Sequence, residues 1–220
     1  MNKNLWIIWW ILLIFVLLNT VAFFVSSRTK TIEFTLDKNR EFEIELFSFS
    51  SYNISMKILF SKTDDLDKTA LGEWQTKNNR KKTGVLKFIN PGEPVKLLLK
   101  DEQQEVIYEA LPSNSYNTRA FVVYENDHQP NQFSWGACKD KGFKIKRGFN
   151  DFKITVLEVG KSLQGREVKL YINPPLGFKQ TVNSPLYKFL WFFYLWPVYL
   201  FLLFVIYLVL MFKKRDQSKK

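Results

Sequence analysis

The chain contains one cysteine and one histidine in 220 residues. A single thiol excludes an intramolecular disulfide, and Cys138 reads as a small, partly buried hydrophobe. Pairing it with His128 for nucleophilic catalysis would need a third group and an oxyanion site, and no residue pattern marks either. There is no phosphate-cradling glycine loop, no paired set of zinc ligands, no nucleophile elbow and no internal repeat. The acidic trio Asp64, Asp65 and Asp67 lacks the glycine and closing Glu of a calcium loop. The sequence therefore argues against an enzyme, and no cofactor or metal is expected.

Positive charge is in excess, but its placement matters more than its sum. The chain carries 32 Lys or Arg against 21 Asp or Glu, a net charge of +11. Residues 28–183 hold 25 of the cations and 20 of the acids, so this middle part accounts for +5. The remaining +6 comes from Lys3, Lys188 and the C-terminal tail, which is a topology signal rather than a nucleic-acid footprint. No nucleic-acid partner is expected.

Two long apolar runs organise everything else. Phe189 to Phe212 is almost uninterrupted and closes on Lys213, Lys214 and Arg215. As a helix it reaches about 36 Å, enough to cross a hydrocarbon core of about 30 Å. Leu5 to Val25 is the second run, with Asn19 and Thr20 its only polar members. Its end lacks the small-x-small pattern of a cleavage site, which favours an uncleaved signal anchor. Lys and Arg in short flanking segments stay cytoplasmic. The chain thus divides into a cytoplasmic start at 1–4, a first span at 5–25, an outer domain at 28–183, a second span at 189–212 and a basic cytoplasmic tail at 213–220. Pro197 is expected to kink the second span. Trp6, Trp9 and Trp10 suit an aromatic belt at one interface, and Tyr187, Trp191 and Tyr194 suit the other. Asn19 has two readings: a bond between helices, or a polar residue wetted at the outer interface.

The middle reads as β almost throughout, an antiparallel sandwich-like domain. Ile32, Phe34 and Leu36 alternate with Glu33 and Thr35; Phe42, Ile44 and Leu46 alternate with Glu41, Glu43 and Glu45. Further strands are expected at 54–60, 85–89, 95–99, 105–110, 119–124, 152–156 and 168–173. That makes nine, whereas a domain whose two ends face one membrane needs an even number of full crossings. A short helix is expected at 64–71, where Asp64 and Asp65 suit a helix start.

One stretch stands out as an interaction candidate. Lys139, Lys141, Lys144, Lys146 and Arg147 form a basic run, with Phe133, Trp135, Phe143 and Phe149 around it as expected loop anchors. The second span adds Trp196 and Tyr199 among many rings, and aromatic surface gains nothing from lipid that it would not gain from any apolar medium. The expected function is that of a non-catalytic accessory, assembly or interaction subunit of a membrane complex. Its expected partners are the lipid bilayer and either a membrane protein or a second copy. The alternative is a binding module for an anionic envelope polymer or lipid, with a hydrolase or transferase third. The composition and the absence of secreted disulfides favour a bacterial inner membrane with the domain in the periplasm; the sequon Asn53-Ile54-Ser55 keeps a eukaryotic endomembrane open.

Overall fold

A computed structural model describes residues 3–61, 68–74, 85–113, 117–124, 132–134, 141–177 and 182–217. The chain forms two compact units, one built from Met1–Arg28 with Pro175–Lys220 and the other from Thr29–Pro174.

The first unit is helical. A helix spans Lys3–Ser27. The C-terminal part runs as helix Pro185–Trp191, a 3-10 turn Phe192–Leu195, and helix Trp196–Gln217. The apolar stretches Asn4–Ser27 and Pro185–Lys213 each have a mean hydropathy of 2.5 and are long enough to cross a membrane. The 3-10 turn follows from Pro197, which has no N–H for the carbonyl of Phe193. The N–H of Trp196 takes that carbonyl instead, tightening the turn. The Tyr199 hydroxyl donates to the neighbouring Phe192 carbonyl at 3.3 Å. Both carbonyls, which Pro197 deprives of their regular helical partners, are thus satisfied again.

The two apolar helices pack through rings. Trp6 and Trp9 lie 5.8 and 5.5 Å from Tyr207, Phe15 lies 6.0 Å from Phe193, and Phe24 lies 6.1 Å from Trp196. The Trp9 indole N–H donates to the Leu203 carbonyl at 2.9 Å. Of the three tryptophans expected in an aromatic belt, Trp6 and Trp9 turn into the helix pair and Trp10 is exposed. An indole N–H in apolar surroundings seeks an acceptor, and a backbone carbonyl of the facing helix supplies it. Asn19 makes no bond between the helices with its amide nitrogen, which donates to Phe15 one turn earlier at 2.8 Å.

The second unit is a curled antiparallel sheet. Its eight strands are β1 (Lys30–Thr35), β2 (Glu41–Ser48), β4 (Met56–Phe60), β7 (Val95–Lys100), β8 (Glu105–Ala110), β9 (Thr118–Val123), β12 (Gly148–Val159) and β13 (Glu167–Ile172), in the order β1-β13-β4-β9-β8-β7-β12-β2. The smaller strands are β3 (Tyr52–Asn53), β5 (Glu73–Trp74), β6 (Val85–Asn90), β10 (Gln132–Ser134) and β11 (Lys144–Ile145). β10, β6 and β5 form one small sheet, and β11 pairs with β3. The even count is therefore met by the main sheet among the described residues, and the ninth expected strand, β6, belongs elsewhere.

Consecutive strands β1 and β2 occupy opposite edges of this sheet. Laid flat, eight strands would put those edges about 34 Å apart. The connection 36–40 can bridge about 21 Å at full stretch, so the sheet must roll into a half-barrel. Phe34 and Phe42, one from each edge, meet with ring centroids 4.6 Å apart. No backbone ladder joins β1 to β2 among the described residues. The two sheets of a sandwich are likewise not separated by hydrogen bonding, because β9 pairs with β4 through residues 118–120 and with β8 through residues 121–123.

Alternation then fixes the interior. Ile44, Met56, Ile58, Leu97, Leu99, Ile154, Val156 and Leu170 are buried inside. The outer face carries ion pairs between neighbouring strands, Lys96 with Glu158, Lys100 with Glu105 and Lys153 with Glu41. Arg119 is the largest fully buried side chain, 1% exposed. Its guanidinium donates to the carbonyls of Leu111, Glu93 and Ala110, and burial pulls its pKa down to about 10. It ties β9 to the end of β8 and to the turn before β7. Beside it, Phe88, Leu111 and Val122 form a satellite core with Trp74 against it. Gly72 and Gly92 lie back to back there with φ of +75° and +72°, and a Cβ on Gly92 would sit 2.6 Å from the Gly72 nitrogen. Of the expected helix at 64–71, Lys68–Leu71 is helical and the earlier part lies outside the described residues.

Ile154 and Lys153 provide a direct check on the inward and outward faces. Ile154→Asp places a charge where the side chain is fully buried, at a cost of several kcal/mol. That is a large part of the roughly 5–15 kcal/mol that holds a domain folded. Lys153→Asp removes a surface pair. In circular-dichroism melts of the detergent-solubilised full chain, the first variant should lose the cooperative β transition and the second should keep it. Equal effects would show that the strand is read in the wrong phase.

Candidate functional site

The basic run identified in the sequence lies at one end of the sheet, together with residues that the sequence did not connect to it. Since neighbouring strands are antiparallel, one end collects the start of β1, the ends of β2 and β13, the β7–β8 turn and the start of β12. The chain enters and leaves the β unit here, at Thr29 and Pro174. β12 pairs with β7 only from Lys153 onwards, but its pairing with β2 continues to Gly148 opposite Ser48. A two-stranded ribbon therefore reaches five residues past β7, about 16 Å.

Local side-chain amides hold this ribbon. The Gln104 amide brackets Lys144, accepting its backbone N–H at 2.8 Å and donating to its carbonyl at 2.8 Å. Asn150 accepts the Lys146 N–H at 2.7 Å and donates to the carbonyls of Lys146 and Gly148 at 2.9 and 3.0 Å. Gly148 has φ +102° and open space around it, so the turn into β12 uses a conformation that only glycine adopts freely. Phe143 and Ile145 are buried beneath, Phe143 against Phe152 at 5.1 Å, and the Tyr108 hydroxyl accepts the Phe143 N–H at 2.8 Å. Burial pushes the Tyr108 phenol up to about 12. Partial burial raises the Asp101 pKa, but the Gln104 amide and the N–H groups of Gln103 and Gln104 outweigh it and hold the carboxyl below its ordinary range.

Phe149 was expected to anchor the loop; the structure overturns this. Phe149 is 73% exposed, and its register partner Phe47 is 40% exposed. Their rings lie 5.0 Å apart, and Phe49 adds a third ring 4.9 Å from Phe47. Period-two alternation puts Phe149 on the same outer face as Asp151 and Lys153, which is why it cannot reach the core. Phe143 is the anchor that the sequence called for.

Exposed Lys144, Lys146 and Arg147 accompany this cluster. Lys146 also bonds Gln103, and Lys141 lies just before the segment. Lys139, Cys138, His128 and Trp135 fall outside the described residues, as does the side chain of Phe133. Trp196 and Tyr199 belong to the helical unit, where one packs on Phe24 and the other donates to the Phe192 carbonyl in the 3-10 turn. Further up the outer face lies an open cleft of about 600 Å³ with Glu43, Glu45, Asp101, Glu102 and Asp151 in its wall. Its lysines, Lys100 and Lys153, pair with Glu105 and Glu41. No group of three or more potential metal ligands occurs among the described residues.

No family model and no curated protein matches this sequence. The crystal structure of a Sulfurospirillum deleyianum protein overlaps 67% of this chain and 97% of its own, with 14% identity and a TM-score of 0.41. That likeness is too loose to define a shared fold or function.

The β7–β8 turn gives a pH prediction. A carboxyl whose folded pKa is lowered stabilises the fold above its unfolded pKa, about 3.9. That contribution is lost as pH falls through the lower folded value. Amide protection factors at Gln103 and Gln104, referred to Leu99, should hold from neutral pH and drop in the acid range below the unfolded value. Asp101→Asn should lower protection at neutral pH and flatten this dependence; an unchanged acid profile would remove Asp101 from the account.

Proposed function

We propose that this protein is a non-catalytic, membrane-integral interaction subunit. Both apolar helices cross a bacterial inner membrane, both termini are cytoplasmic, and the curled β domain lies in the periplasm. The carrying observation is a division of labour among the rings. Trp6, Trp9, Phe15, Phe193 and Tyr207 are used within the helix pair, whereas Phe201 and Phe204 remain 64% and 55% exposed. Exposed rings beyond those needed for pairing support contact with a partner's membrane helices or with a second copy. The binding of an anionic envelope polymer or lipid is the second reading, and the cation-flanked phenyl cluster favours it.

Orientation is tested first. In intact cells, with Cys138→Ser as background, a membrane-impermeant maleimide should label Ser50→Cys and Asn78→Cys but not Ser218→Cys; labelling of Ser218→Cys would overturn the topology. Partner contact is tested by Phe201→Leu combined with Phe204→Leu. Insertion and the β fold should be unaffected, while recovery of a stoichiometric membrane partner or second copy from gently solubilised membranes should fall about tenfold, the effect of removing about 1.4 kcal/mol of contact. Unchanged recovery would make the helices plain anchors.

A further inference from the structure

The ribbon formed by β2 and β12 carries three phenyl rings at its end, and the geometry points to an anionic lipid surface as what they touch. This rests on the membrane reading proposed above. Three features of the β unit converge on it. The first is placement: the ribbon projects at the end where the chain enters and leaves, and each exit continues into a helix long and apolar enough to span a bilayer. The second is exposure. Among the described residues of the β unit, Phe47, Phe149 and Ile89 are the exposed large hydrophobics, and two of these three meet in a tilted ring contact at the tip. Burying such rings in the interfacial layer is favourable, and aromatic side chains favour that layer. The third is charge: Lys144, Lys146 and Arg147 are exposed in the two to five residues before Phe149, and cations near an anionic leaflet add attraction to the apolar contact.

The same ladder limits how deep the tip can go. On the face of Phe47 and Phe149, the next pair along the ladder is Glu45 with Asp151, and the one after it is Glu43 with Lys153. Two carboxylates facing each other resist both dehydration and an anionic surface. The rings therefore enter the headgroup region, and the acids stop further penetration. Such a contact sets the height and tilt of the β unit over the bilayer without any partner protein.

The test uses the full chain in vesicles of phosphatidylethanolamine and phosphatidylglycerol. A polarity-sensitive fluorophore is placed on Ser51→Cys, an exposed position two residues from Phe49, in a Cys138→Ser background. A second label on Leu202→Cys, in the apolar helix, serves as the control. Lipids with a quencher near the headgroup should quench Ser51→Cys more than lipids with a quencher near the chain end. Phe47→Ser with Phe149→Ser, or Lys146→Glu with Arg147→Glu, should each reduce that quenching by about twofold or more, and zwitterionic lipid should act like the charge variant. Quenching at Leu202→Cys but none at Ser51→Cys overturns the inference and leaves the membrane reading intact. No quenching at either position overturns both. A blue-shifted but unquenched Ser51→Cys would mean that protein covers the rings, which also rejects a lipid contact.

Discussion

The connection between the first two strands is the constraint on which the β unit depends. Residues 36–40 join strands at opposite edges of an eight-stranded sheet, and no flat arrangement satisfies that. Curling follows, and with it an inside and an outside. The connection is fastened along its length: Leu36 donates to the Arg166 carbonyl at 2.8 Å, Asn39 donates to Val156, and Val156 donates to Arg40. Asn39 adopts φ 65°, a region that Asn tolerates better than most residues. Inside the curl only apolar side chains fit without partners. Arg119 is buried there because three carbonyls meet its guanidinium.

Much of this was legible because the interior is one-sided. Every strand with one face in the core must alternate, and β1, β2, β12 and β13 do so in the sequence as in the structure. Pairing partners were not legible. β6 is legible as a strand, yet it joins β5 and β10 in a small sheet, because sheet membership depends on contacts distant in sequence. β3 and β11 are two residues each, too short for any period to register. The basic run was visible as charge, but its company was not. Phe47 lies about a hundred residues earlier in the chain, and only the register of β2 against β12 brings it beside Phe149. The one available signal was the phase of Phe149, which shares the parity of Asp151 and Lys153.

Carbonyl groups explain the details of the helical unit. Pro197 frees one; Trp196, Tyr199 and Trp9 each donate to a carbonyl in the 3-10 turn or across the helix pair. Apolar side chains around these helices offer no alternative partner, so donors are aimed at backbone. Trp196 and Tyr199, singled out as possible partner contacts, thus have local work in holding this helix. Rings that make neither bond nor helix contact are the ones left for lipid or protein.

Lys30 and Ile172 are register partners in the β1–β13 ladder, so the entrance and exit of the β unit are neighbours. An element with adjacent ends is portable. It can be inserted into a surface loop of an unrelated host without prising the host's own ends apart, and its ends can be joined by a short linker and the chain reopened elsewhere. Reopening between Lys38 and Asn39 would sever the tie that curls the sheet while sparing every ladder, separating what chain connectivity contributes to the curvature from what the packed interior contributes.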